Sequence, residues 1–304
     1  MLRRLLLAAL AAPVLTAPTA QAATYSFTII AATTSGSTNP THFNSVGIPS
    51  LNNNGEVAFR GVRVGQSRGE VIVGTVTSLA TIADAPADPL ISEVDYFPKI
   101  SDAGIVVFRM RTNDFSAHQP LVAVNAGVTQ SLFGGLPLTA EEPLDTEVLA
   151  VASGPSFIAS FPARDTDSFE QGVYRFTTGI TLVAAGNTPN ISFFSFQFGT
   201  DVRSNGVVTF AAYDNPPFDP TNVVSSIFAI WDSAAADSEI QRVRDDDYVG
   251  GLSGYFSSGS DSSIGFGAVS GPIETAIDIT VPPTNRVVSQ TSPGFLGNPS
   301  LNDV

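Results

Sequence analysis

The chain repeats itself, and the repeat limits what it can fold into. The stretch "LNNNGEVAFRG" (Leu51–Gly61) returns as "ISDAGIVVFRM" (Ile100–Met110) and again as "VRSNGVVTFAA" (Val202–Ala212). Each copy has a turn containing Gly, then small or β-branched apolar residues, then Phe. The glycines are Gly55, Gly104 and Gly206, and the phenylalanines are Phe59, Phe108 and Phe210. Looser copies surround Phe161 ("SFIASFPARD") and Phe266 ("DSSIGFGAV"). Successive phenylalanines are 49, 53, 49 and 56 residues apart, a period in the range of propeller blades. A unit of this length cannot bury both faces of a sheet by itself, so its neighbours must stack on it.

Each copy has a second half with hairpin grammar, two short β-rich runs around a small polar turn. These are "GEVIVGTVTSLATIAD" from Gly69, "QPLVAVNAGVTQSLFGG" from Gln119, "QGVYRFTTGITLVAAGN" from Gln171 and "SSIFAIWDSAAADSEIQRVRDDD" from Ser225. A fourth strand is expected in the variable stretch before the next Gly turn, for example in "SFFSFQFGTDV" (Ser192–Val202). Asn and Gly close tight turns, and Val, Ile, Thr and Phe suit a half-buried pleated surface. The only helix-like run, "AAADSEIQRVRDDD", fits a hairpin arm equally well. The expected fold is all-β, a propeller-like ring of about five to six antiparallel blades.

The ends carry their own signals. Arg3 and Arg4, the apolar run Leu5–Leu15 and the small residues of Ala20-Gln21-Ala22 read as a secretory signal peptide, residues 1–22, cleaved after Ala22. Residues 23–304 then form one repeat domain, secreted, at the cell surface or in the periplasm. No later apolar run approaches the ~20 residues of a membrane span. The stretch "TYSFTIIAA" (Thr24–Ala32) stands where a module's last strand should stand and is expected to complete the final blade. "PSLNDV" (Pro299–Val304) copies "PSLNNN" (Pro49–Asn54), so the pattern expects about 25 further residues to finish that blade.

The motif Pro49-Ser50-Leu51-Asn52-Asn53-Asn54-Gly55 with Val57-Ala58-Phe59, together with Gly172-Val173-Tyr174 and Thr81-Ile82-Ala83-Asp84, resembles exported bacterial repeat proteins whose modules read PSLNNxGxVAF. Such proteins often carry a C-terminal sorting anchor, for example of the PEP-CTERM type. The resemblance covers roughly residues 24–304 and implies a propeller-like ring of blades; it implies little about activity. Modules three and five depart from the pattern, lacking the Gly turn at its usual offset before Phe, and no apolar anchor helix or Arg cluster precedes Val304.

Composition narrows the function. Against 28 acidic residues stand 14 Lys and Arg, giving a net charge of −14, and Lys99 is the single lysine. No surface of such a chain neutralises a phosphate backbone, so nucleic acid is excluded as a partner. A basic anchorage to anionic lipid is excluded for the same reason. The chain has no cysteine, which removes disulfides, thiol nucleophiles and Cys-ligated zinc.

Candidate chemistry is sparse. His42 and His118 sit in polar, loop-like contexts, and no HExxH, GxSxG, P-loop or GxGxxG occurs. Glu56, Asp102, Asp165 and Asp214 are the carboxylates placed to form a glycosidase pair, with turn capping as the competing reading. Asp165, Asp167 and Glu170 share one loop and are candidate calcium ligands, since alternate carboxylates can converge on a hard cation. Asp245–Asp247 form a second acidic knot; neither has EF-hand spacing, and solvated loop acid is the competing reading of both. Trp231 and Tyr213, each followed by Asp, are candidates for a sugar-binding rim, with packing inside a blade as the competing reading. The expected function is a non-enzymatic exported scaffold for surface or matrix contacts with protein or glycan. The alternatives are a polysaccharide-acting hydrolase and a lectin-like propeller.

Overall fold

A computed structural model describes residues 29–33, 42–85, 87, 91–94, 97–112, 121–133, 136, 138–140, 150–152, 154, 156–168, 171–186, 191–194, 200–214, 228–233, 239–244, 252–258, 264–270, 273–280 and 284–291. These residues contain strands and turns and no helix. The first sheet holds β1 (Ala32–Thr33), β2 (His42–Val46), β3 (Ser50–Leu51), β4 (Val57–Arg63), β5 (Glu70–Thr75) and β6 (Ser78–Asp84). The second holds β7 (Ile91–Val94), β8 (Lys99–Ile100), β9 (Val106–Thr112), β10 (Leu121–Asn125) and β11 (Val128–Ser131). The third holds β12 (Leu138–Ala140), β13 (Ala150–Val151), β14 (Ala159–Asp165), β15 (Gln171–Phe176) and β16 (Ile180–Ala185). The fourth holds β17 (Ile191–Phe194), β18 (Thr200–Val202), β19 (Val208–Asp214), β20 (Phe228–Ser233) and β21 (Glu239–Arg244). The fifth holds β22 (Leu252–Ser258), β23 (Ile264–Ser270), β24 (Ile273–Thr280) and β25 (Thr284–Thr291).

Each sheet is one sequence module. Its Phe-bearing strand pairs on one side with the hairpin and on the other with an upstream edge strand, all antiparallel. The expected fourth strand is present. In the first four sheets it is split into two pieces that pair with the same Phe strand, for example Ile191–Phe194 and Thr200–Val202 on β19. The helix-like run proves to be a hairpin arm where it is described, Glu239–Arg244 pairing with β20.

The Gly turns join the edge strand to the Phe strand. The pairs Leu51↔Val57, Ile100↔Val106 and Val202↔Val208 each enclose five residues. Gly55, Gly104 and Gly206 have φ of 78°, 74° and 84°, the left-handed region that glycine enters without a Cβ clash. Module three uses the same device with a longer loop: Val151↔Ala159 encloses seven residues, and Gly154 takes the positive φ, 124°. In module five Ser258↔Ile264 again encloses five, residues 259–263, which lie outside the described residues. Both irregular modules therefore keep the register that places Phe in the core.

The core lies between sheets. On each Phe strand successive side chains alternate faces. Phe108 packs with Ala58 and Val71 of the preceding sheet, while its neighbour Val107 packs with Phe161 and Ala159 of the following one. Phe210 meets Val173 and Ala184 of the third sheet, and Phe266 meets Ile230 of the fourth. All five phenylalanines are at most 1% exposed. The last hairpin strand β11 is exposed along its length, and β6 is exposed or half-buried throughout.

Phe59 lies in the first described sheet, and residues near its start cover it. Ile30 and Ala31 pack on the cluster of Phe43, Phe59 and Ile72, and β1 pairs in parallel with His42 and Phe43. Of the stretch Thr24–Ala32 only residues 29–32 are described, and of these Ala32 pairs with His42 in the first sheet.

One hairpin carries strain. Ala126 (φ 47°) and Gly127 (φ 82°) form the two-residue loop between Asn125 and Val128, the geometry that favours Asn-Gly. Ala126→Asn is expected to stabilise the fold by about 0.5–1 kcal/mol, read as a higher urea midpoint at unchanged m-value.

Candidate functional site

The polar residues of the Gly turns form a ladder that links one module to the next. Within the first turn, Asn52 Oδ1 accepts from Asn54 N (3.1 Å) and Glu56 N (2.9 Å). Its Nδ2 donates to Glu56 Oε2 (2.8 Å) and, across the modules, to Ser101 O (3.0 Å). Ile100 N donates to Ser50 Oγ (3.2 Å). Asn53 donates through N and Nδ2 to the two carboxylate oxygens of Asp102 (2.9 and 3.0 Å), and Asn54 Nδ2 donates to Asp102 O. Asp102 also accepts from Gly154 N in the third turn (2.7 Å), so one carboxylate joins three successive modules.

That geometry sets its protonation. Partial burial pushes the Asp102 carboxyl up, but donation from Asn53 N, Gly154 N and the Asn53 amide outweighs burial and holds it below the usual aspartate value. A group titrating lower when folded than when unfolded stabilises fully above its unfolded value, about pH 4, and loses that effect as pH falls through the folded value. Asp102→Asn is expected to cost about 1 kcal/mol at neutral pH. It is also expected to flatten the loss of stability on acidification below about pH 4, read from denaturation midpoints across pH.

The candidate glycosidase carboxylates divide among different places. Glu56 and Asp102 meet at the turn ladder, each bound to an Asn of the first turn. Asp165 lies at the end of β14, and Asp214 ends β19 opposite Ile191. A glycosidase pair needs one carboxyl kept protonated by its surroundings. At Asp102 and Asp165 the hydrogen bonds act the other way, favouring the ionised form.

The calcium candidates are described in part. Asp165 Oδ1 accepts from Ser168 N (2.8 Å) and Asp167 N (2.9 Å), capping its own turn. These bonds hold its carboxyl below the usual range. Glu170 and Asp245–Asp247 lie outside the described residues. Among the described residues no three His, Cys, Asp or Glu side chains cluster as a cation site. A chelator tests these candidates: an unchanged melting temperature would remove calcium, and a fall in Tm restored by calcium would support it.

His42 opens β2 opposite Ala32, and His118 lies outside the described residues. Trp231 is no rim residue. It is 5% exposed in the core between the third and fourth sheets, with Nε1 donating to Ala212 O (3.2 Å). Tyr213 is half-buried on β19, paired with Phe193 and Phe228 across its sheet.

Two ion pairs, one buried on both sides and one half-buried at its acid, were not visible in the motif pattern. Arg60, on β4, reaches the second sheet: NH2 contacts Glu93 Oε1 at 2.6 Å and Nε donates to Val94 O. Gly69 lies so close that an added Cβ would fall 2.5 Å from Arg60 Nε. Arg203, at the start of the fourth turn, spans both oxygens of Asp232 (3.2 and 3.1 Å), with both side chains at most 4% exposed. The only sequence signal was an isolated charge in an apolar strand (Arg60, Asp232) or at a turn (Arg203), which names no partner.

No family model matches the chain, and no curated protein sequence is significantly similar to it. Among solved structures it is similar to a prolyl endopeptidase at TM-score 0.43 and 13% identity, over 81% of this chain and 42% of that one. An ulvan lyase, described as a new family of polysaccharide lyase, aligns at TM-score 0.43 and 9% identity, over 81% and 70% of the two chains. The SapL1 lectin, solved with alpha methyl fucoside, aligns at TM-score 0.41 and 10% identity, over 81% of each. The chain thus spans less than half the length of the prolyl endopeptidase.

Proposed function

We propose that the protein is an exported scaffold whose modules stack as the blades of a propeller-like ring and present a surface to protein or glycan at the cell surface or in the matrix. It belongs, on this reading, with the PSLNN-repeat exported proteins, and residues 1–22 direct its export. The observation that supports it most is the use of Asp102. This carboxylate, one of the catalytic candidates, accepts three hydrogen bonds from backbone and amide donors of the neighbouring turns. Its work is to hold modules together.

The mature chain, incubated with neutral and uronic-acid polysaccharides, is expected to release neither reducing ends nor unsaturated products. Release that disappears in Glu56→Gln or Asp102→Asn would replace the scaffold with a polysaccharide-acting enzyme. Co-sedimentation with cell-envelope or matrix material is expected, and its failure would remove the surface role. Export is checked by N-terminal sequencing of the secreted chain, expected to begin at Ala23.

A further inference from the structure

The dipeptide Asn-Gly closes two of the Gly turns, as Asn54-Gly55 and as Asn205-Gly206. The two glycines share one backbone conformation, with φ of 78° and 84°. Each donates its N–H within its turn, Gly55 N to Asn52 O (3.1 Å) and Gly206 N to Arg203 O (2.9 Å). Their surroundings differ. Asn54 and Gly55 are both exposed, and a Cβ added at Gly55 would meet no atom within 4 Å. Gly206 is buried, and the same Cβ would lie 3.3 Å from Arg175 Nη1. That nitrogen reaches over from the third sheet and donates to Gly206 O at 2.8 Å. The side chains differ too. Asn205 Oδ1 stays within its own turn and accepts from Val207 N (3.0 Å). Asn54 reaches out of its turn, and its Nδ2 donates to Asp102 O (2.6 Å) in an exposed bond between modules.

We propose that Asn54 is a modification site at which the chain deamidates in water, that the change releases the first turn from the second, and that Asn205 is shielded from it. Glycine has no side chain to hinder the approach of its nitrogen to the preceding Asn. Gly55 N gives its proton to hydroxide and attacks Asn54 Cγ. The new C–N bond closes a five-membered imide as the Cγ–Nδ2 bond breaks, and the amide leaves as ammonia with its third proton taken from water. A second water then opens the imide at either carbonyl, leaving aspartate or isoaspartate. The reaction needs Gly55 N released from Asn52 O and reached by solvent. An exposed turn opens in this way at low cost, whereas a buried and clamped one does not. The product cannot restore the old contact. A carboxylate has no N–H to give Asp102 O, and its charge is added beside the carboxylate that binds Asn53. Isoaspartate also runs the backbone through one more methylene, inside a loop whose five residues set the Leu51↔Val57 register.

The test incubates the folded full chain in mildly alkaline heavy-oxygen water, digests it in ordinary water and maps the peptides by mass spectrometry. The Asn54 peptide is expected to take up heavy oxygen, as a mixture of aspartate and isoaspartate, about tenfold or more faster than the Asn205 peptide. Equal rates, or a faster Asn205, overturn the inference. In urea the two rates are expected to converge, because the folded surroundings set the difference. A difference that persists in urea would place its cause in the flanking residues and also overturns the inference. Release of the turn is read by amide exchange in Asn54→Asp, which carries one of the two products. Asn53 N donates to Asp102 Oδ1, and its exchange is expected to speed about tenfold while that of Gly206 N stays unchanged. An unchanged rate at Asn53 would mean that the modified turn stays joined to the second module, which overturns the release.

Discussion

Asp232→Ala is expected to destabilise the fourth sheet by about 3–5 kcal/mol, a large share of the roughly 5–15 kcal/mol that holds a typical domain folded. The side chains of Arg203 and Asp232 are 2% and 4% exposed. Asp232 also accepts from Thr209 Oγ1 at 2.7 Å. Truncating the acid leaves a guanidinium buried with no counter-charge and a buried hydroxyl without its acceptor. Replacing both partners by apolar residues, Arg203→Met with Asp232→Leu, is expected to recover most of the loss, because desolvation of the intact pair cancels much of its attraction. Trp231, the single tryptophan, lies next to Asp232 in the same strand, so its fluorescence during urea unfolding reports this sheet. A double-mutant cycle isolates the pair; equal losses in the single and the double variant would show that the ion pair does not hold the turn.

The same turn shows how far the sequence could be read. The positive-φ glycines and the buried phenylalanines were legible because each depends on a local requirement: a left-handed turn position, and an apolar side chain two residues into a paired strand. Module three defeated the offset rule because its loop is two residues longer than that of the regular modules, while the ladder pairing Ala150↔Ser160 is retained. Offsets from Phe count loop residues; the register does not. The role of the first turn residue was hidden for a different reason. Asn52 and Ser101 cap their own turns through a side-chain oxygen. Arg203 has no acceptor, so Asn205 Oδ1 accepts from Val207 N in its place, and Arg203 is released to reach Asp232. That substitution becomes readable only once the strand Phe228–Ser233 is paired with Val208–Asp214. Asp102 looked like a catalytic candidate for a related reason: its donors are 49 residues before it and 52 residues after it, and no local motif holds them.

Phe161→Ala is expected to cost about 3–5 kcal/mol, and its consequences should spread further than those of Phe266→Ala. Phe161 is 1% exposed in the cluster that joins the second and third sheets. It stacks on Tyr174 at 6.2 Å between centroids and meets Phe133 at 5.7 Å. Removing the ring opens a cavity at a seam between modules. In a stacked array each module is held chiefly by its neighbours, so weakening an internal seam lets the two halves unfold separately. Trp231, beyond that seam in the fourth sheet, should then report a transition that no longer coincides with the loss of far-UV circular dichroism. Phe266 joins a smaller described cluster, with Ile230 and Ile264 as its buried partners, in the fifth described sheet. Its loss should release that sheet and leave the earlier modules and the main transition nearly in place. The reverse order of effects, with Phe266→Ala the more disruptive, would mean that the array is held from its last module and not from its interior seams.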